Sequence, residues 1–248
     1  VLAPPNPLEI LGANLRGWWA FWDRATLFTD SARTTLATAD GDAIAGVSDK
    51  SGNNNHMQQT VAGNRPLLRL GVVNGRSGLE FDGTDDFING GATFAWSAAN
   101  AVTIMAIVQA DDYAAGSDTV CGFRSNSVPA NTVATLARTS AGTFEFASYD
   151  GISANVNDTQ AGTDTAVNII LGTGSAVYRE CIVNGTSSPT IAGIAPATGS
   201  QAFAIGSRAT SAADVFDGKI IEVIAANVNV SAAQQAALLR WGQYIRGS

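Results

Sequence analysis

Charge is scarce in this chain. Asp, Glu, Lys and Arg make up 14% of its 248 residues, against roughly 25% in an ordinary soluble domain. The 14 basic residues are scattered among 21 acidic ones, for a net charge of −7. No basic stripe forms, so nucleic acid is not an expected partner. Histidine occurs once, as His56, and cysteine twice, as Cys121 and Cys181. Two distant thiols and one imidazole exclude a zinc site built on Cys/His spacing. Any Ser-His-Asp arrangement would have to use His56, which sits in an Asn-rich loop. The two cysteines read as buried thiols, or as a disulfide if their strands are neighbours. No run of 18 apolar residues occurs, so no membrane insertion is expected. The opening segment VLAPPNPLEI lacks a basic region followed by an apolar one, so no signal peptide is expected. No heptad register is present, and self-association into a homo-oligomer is left open.

What is abundant is apolar and small. Hydrophobic residues reach 46% and glycine numbers 26, a mix suited to many short strands joined by tight turns. Residues 1–15, with Pro4, Pro5 and Pro7, read as an extended arm. Residues 16–248 read as one domain. Trp18, Trp19, Phe21 and Trp22 belong in a core or under a loop, with an exposed platform for sugar stacking as the alternative. Val102–Ala110 is the clearest strand, with Val102, Ile104, Ala106 and Val108 on one face and a mixed face opposite. Gly78–Ile88 reads as a hairpin turning at Asp82-Gly83. Thr132–Arg138 pairs with Thr143–Tyr149, and Val167–Leu171 pairs with Ala176–Val183 through a turn at Gly172–Ser175. Asn184-Gly185 is a further turn, and Phe203–Ile205 a short strand. Gly218–Ala226, apolar on both faces except for Glu222, belongs at the centre of a sheet. Residues 231–246 form the one predicted helix, capped by Ser231 with Gln234 and closed by Gly247. The expected fold is therefore all-β: a two-sheet antiparallel jelly-roll sandwich with one C-terminal helix.

Particular segments add a family resemblance. Asp23 to Leu68, with Asp30-Ser31-Ala32-Arg33-Thr34-Thr35, Asp49-Lys50-Ser51-Gly52-Asn53-Asn54-Asn55-His56 and Arg65-Pro66, resembles the first part of concanavalin A-like modules of bacteriophage virion and bacterial surface proteins. It departs at Arg33, where the pattern has Gly, and by one Asn in the second motif. Phe81-Asp82-Gly83-Thr84-Asp85-Asp86-Phe87 resembles the F-D-G-x-D-D turn of laminin G-like jelly rolls. Cys181 to Gly185 and Phe216 to Val223 resemble a later hairpin and the closing strand. The resemblance implies a virion surface or extracellular location, synthesis in the bacterial cytoplasm, and a head decoration, spike or tail-fibre role. Its partners would be other virion proteins, reached through the N-terminal arm, and host surface polysaccharide. A stand-alone lectin module is the alternative.

The chemistry open to such a module is limited. Asp82, Asp85 and Asp86 are oxygen donors of the kind calcium takes, or they hold turn amides; apart from calcium, no cofactor is expected. Sugar sites on sandwiches combine aromatic stacking with polar groups, which makes Trp96, Tyr113, Tyr149 and Asp150 the candidates for carbohydrate. A retaining glycosidase needs two carboxylates about 5 Å apart. Glu80 and Asp82 alternate, but Gly83 ends the strand and no further acid follows in register. The expectation is a chain that does no catalysis.

Overall fold

The computed structural model describes residues 2–90, 94–96, 101–111, 118–123, 134–139, 142–148, 156–162, 166–175, 178–189, 191–192, 199–207 and 214–248. Among these residues, two nine-stranded antiparallel sheets face each other, and two further strands pair as a separate ribbon. The first sheet centres on Asp217–Ala226. That strand pairs with Ala101–Ala110 along one edge. Its other edge is shared by Arg76–Asp82 and Leu15–Ala20. Apolar residues on both of its faces fit this central position. The second sheet contains Asp118–Phe123, Ala134–Arg138, Thr143–Ser148 and Phe203–Ile205.

The strands alternate as the sequence pattern requires. Val102, Ile104, Ala106 and Val108 point between the sheets, where they join Trp19, Phe81, Phe123, Phe146 and Phe203. Met105 and Ile107 point outward, into a second core under the C-terminal helix. The first sheet is thus buried on both faces. The helix Ala232–Arg246 is capped at Ser231 with Gln234 in a capping box, and ends at Gly247 in the left-handed region. Its Leu238, Trp241 and Ile245 are buried in that outer core. Gly242 allows the close approach: a Cβ there would lie 2.8 Å from both Ile169 and Met105 side-chain atoms. No helix among the described residues is long and apolar enough to cross a membrane.

Three local expectations need correction. The segment read as an extended arm carries a helical turn, Pro7–Leu11, with Asn6 as N-cap, Pro7 in the first turn and Glu9 completing a capping box. Leu11 is buried in the outer core, so apolar burial overrides the extended preference of the prolines. The Asp82-Gly83 turn does not close a hairpin. Arg76–Asp82 lies in the first sheet and Ile88–Gly90 in the second, so this turn carries the chain across the sandwich. Finally, Gly172–Ser175 is not a turn but continues the strand Val167–Ser175. Gly172 is small because the Phe146 ring of the facing sheet fills its space; a Cβ there would lie 2.1 Å from a ring atom. Cys121 and Cys181 are buried thiols not joined by a disulfide, in strands of different sheets.

Candidate functional site

The motif Asp49 to His56 closes the open side of the first strand. Asp49 accepts hydrogen bonds from the backbone N–H groups of Trp18 (2.9 Å), Ser51 (2.8 Å) and Asn55 (3.0 Å). Asn53 Nδ2 donates to the Leu15 carbonyl at 2.9 Å and Asn55 Nδ2 to the Arg16 carbonyl at 2.7 Å. His56 Nδ1 accepts from the Asp49 N–H at 3.1 Å, so the imidazole is engaged inside the loop. Burial, helped by the charge of Arg33, holds its pKa below the ordinary value. Positive φ at Arg33 (58°) and Asn54 (58°) shows why the resembled pattern has Gly where Arg33 stands.

At the rim, Asp82, Asp85 and Asp86 come together, with one oxygen from each within 4.8 Å of the others. Much of this contact is turn chemistry. Asp82 Oδ1 accepts from the N–H of Thr84 at 2.9 Å and of Asp85 at 3.2 Å, and Asp86 Oδ2 accepts from the Asp82 N–H at 3.2 Å. The donor set suits calcium in kind, but two of the three carboxylates are already spent on backbone amides. Burial, reinforced by the charge of Asp82, pushes Asp86 up to about 7. Glu80 is held by Arg69 (Nε 2.6 Å, Nη2 2.5 Å), with Lys219 Nζ at 3.6 Å.

A buried aromatic cluster lies under the C-terminal helix. Glu222 is 1% exposed. It accepts the indole N–H of Trp18 on Oε1 and that of Trp241 on Oε2, the latter at 2.9 Å. The Trp22 N–H helps hold the charge from nearby without meeting hydrogen-bond geometry. Burial pushes Glu222 up to about 7, against the pull of the indoles and Lys50. Lys50 Nζ lies 5.2 Å from the ring centroids of both Trp18 and Trp22, and it pairs with Asp23.

Trp22, at the edge of this cluster, also lines a surface cleft of about 300 Å³ with Arg24, Leu70, Gly71, Gly75, Arg76 and Ser77. The Arg76 guanidinium lies 6.0 Å from the Trp22 ring and 5.2 Å from that of Tyr244, and its Nη1 donates to the Ile245 carbonyl at 3.2 Å. Sequence reasoning missed this site. Trp22 follows the end of the strand Leu15–Ala20 and is half-buried against the outer core, which lies between the core and the sugar-stacking readings of its segment; Arg24, Leu70 and Arg76 carried no sequence signal as a group. Asn74-Gly75, both at positive φ, forms a two-residue hairpin turn that delivers Arg76; this was a legible signal. Of the predicted carbohydrate residues, Trp96 lies in the two-stranded ribbon, opposite Gly199. Tyr113, Tyr149 and Asp150 lie outside the described residues.

No family model matches the sequence, and no curated protein matches it. Solved structures do. A Trypanosoma rangeli sialidase in complex with sialic acid matches 100% of this chain at TM-score 0.63 and 14% identity. The chain spans 37% of that sialidase. Domain 4 of a GH43 extracellular arabinanase from Geobacillus stearothermophilus, in complex with arabinotriose, matches 92% of this chain and 98% of its own length, at TM-score 0.61 and 13% identity. At these identities the likeness shows the fold: a β-sandwich of two antiparallel sheets, compatible with the concanavalin A-like architecture. The likeness corrects the expectation of a chain that does no catalysis. The sandwich recurs within sialidase chains, so the architecture sits in an enzymatic setting as readily as in a structural one.

Two expected outcomes follow. Asp86, Asp118 and Glu222 are raised to about 7, 6 and 7, in each case mainly by burial. The folded protein therefore keeps protons that the unfolded chain releases. The stability these groups contribute should be fully present below about pH 4 and be lost as pH rises through about 6 to 7, on the order of one to three kcal/mol for each group, levelling off near pH 8. Urea midpoints at pH 5 and pH 8 measure this, and a higher midpoint at pH 8 contradicts it. With Asp82 and Asp86 serving turn amides, millimolar calcium should leave the melting temperature unchanged at pH 8. A rise abolished by Asp85→Asn would instead make the cluster a cation site.

Proposed function

We propose that this chain is a carbohydrate-binding β-sandwich that works within, or beside, a carbohydrate-active or surface-attached protein. One observation carries the reading: nearly the whole chain superposes on nearly the whole of a single domain solved with an oligosaccharide. The half-buried Trp22 beside polar groups in a cleft adds a surface of the composition sugar sites use. Trp96, Tyr113, Tyr149 and Asp150 remain the residues that the sequence alone offers for glycan contact.

A finer placement has the resemblance of Asp23–Leu68 and Phe81–Phe87 as its support. On that reading the module is a head decoration, spike or tail-fibre component on the outside of a phage-type particle and holds host surface polysaccharide. Within the arm, Leu2 is 96% exposed while Leu11 is buried, so the part that could meet other particle proteins lies before Leu11.

Glycan arrays and affinity electrophoresis against arabinans, capsule polysaccharides and sialylated glycans provide the test. Retardation by at least one glycan class, with a dissociation constant of roughly micromolar to millimolar, is expected. Absence of retardation across all of them would overturn the reading.

A further inference from the structure

The cleft has a chemistry that the carbohydrate reading does not by itself specify. The chain as a whole is acidic, with a net charge of −7. Yet the described residues that line this cleft include two arginines and no carboxylate. Neither Arg24 nor Arg76 forms an ion pair with a carboxylate among the described residues. The nearby acids are engaged elsewhere: Asp23 pairs with Lys50, and Asp40 lies 3.5 Å from Arg69. Arg24 is exposed and makes a single long contact, 3.5 Å, to the Thr38 carbonyl. Arg76 is held differently. The Trp22 and Tyr244 rings and the Ile245 carbonyl hold its guanidinium in place. A fixed guanidinium offers a preformed two-pronged donor, which matches a planar carboxylate better than it matches a hydroxyl. Beside it, the half-buried Trp22 and the 42%-exposed Leu70 give an apolar wall for the C–H face of a sugar ring. The glycines at 71 and 75 leave part of the lining without side chains, so a ring can approach the backbone there.

We infer that this cleft binds an acidic sugar, a uronic-acid-type unit whose carboxylate meets Arg76 and Arg24 while its ring lies against Trp22. The inference rests on the carbohydrate-binding reading and narrows it to one ligand class and one place.

The test is isothermal titration calorimetry of the full chain with trigalacturonate and with an alginate trimer, each compared with its fully methyl-esterified form, alongside neutral arabinotriose. The acids should bind at least tenfold more tightly than their esters, with affinity falling as salt rises. Arg24→Gln and Arg76→Lys should each weaken acid binding about tenfold and narrow the preference for acid over ester. Arg24 is exposed, so its variant keeps the fold, and an unchanged melting temperature verifies this. Equal binding of acid and ester, or acid binding unaffected by both substitutions, overturns the inference. Binding of arabinotriose without preference for the acids would overturn it while leaving the carbohydrate reading intact. No binding of any of these sugars overturns it as well, and the glycan array then decides the broader reading separately.

Discussion

One buried carboxylate ties the outer half of this molecule together. Glu222, on the central strand of the first sheet, receives indole N–H groups from Trp18 on the neighbouring strand and Trp241 on the C-terminal helix. An ionised carboxylate without partners in such a place would be strongly destabilising; two aimed donors and a nearby lysine make it tolerable. In return the carboxylate fixes the register of three elements at one point. The same rings continue outward. Trp241 packs on Trp22 at 6.3 Å and on Tyr244 at 5.8 Å, and those two hold the Arg76 guanidinium. The cleft is therefore a surface extension of the core under the helix, positioned by packed rings more than by loop conformation.

The inner core is built on a different principle. Between the sheets the contacts are aromatic and aliphatic, with Trp19 stacked on Phe203 at 5.0 Å and Phe123 set edge-on to the same ring at 4.6 Å. Small residues opposite large ones let the layers close, as Gly172 does for Phe146. This interior holds the two sheets at their separation and leaves the rim turns, among them Asp82 to Asp86, to carry the chain from one layer to the other.

Where local pattern and burial agree, the sequence was readable. The strand at Ala101–Ala110, the central strand and the helix with its Ser231 cap all followed from periodicity and capping chemistry. Reading failed where one local signal serves two physical ends. Glycine at 172 and 174 looks like a turn but makes room for a ring from the other sheet. Asp82-Gly83 looks like a hairpin but redirects the chain between layers. Prolines looked like an extended arm, while Asn6, Pro7 and Glu9 were spelling a helix start. The cleft was hidden for another reason: Trp22, Arg24, Leu70 and Arg76 are distant in sequence, and only the pairing of Leu15–Ala20 and Arg76–Asp82 with one central strand brings them together. The absence of catalytic spacing gave no warning that the same sandwich recurs within sialidase chains.

The dependence of this outer half on the carboxylate can be measured directly. In a double-mutant cycle of Glu222→Leu and Trp241→Phe, followed by urea unfolding at pH 8, the two changes should be coupled by about 1 kcal/mol or more, because each removes one end of the same buried hydrogen bond. Strictly additive effects would contradict the account, leaving the helix held by apolar packing alone.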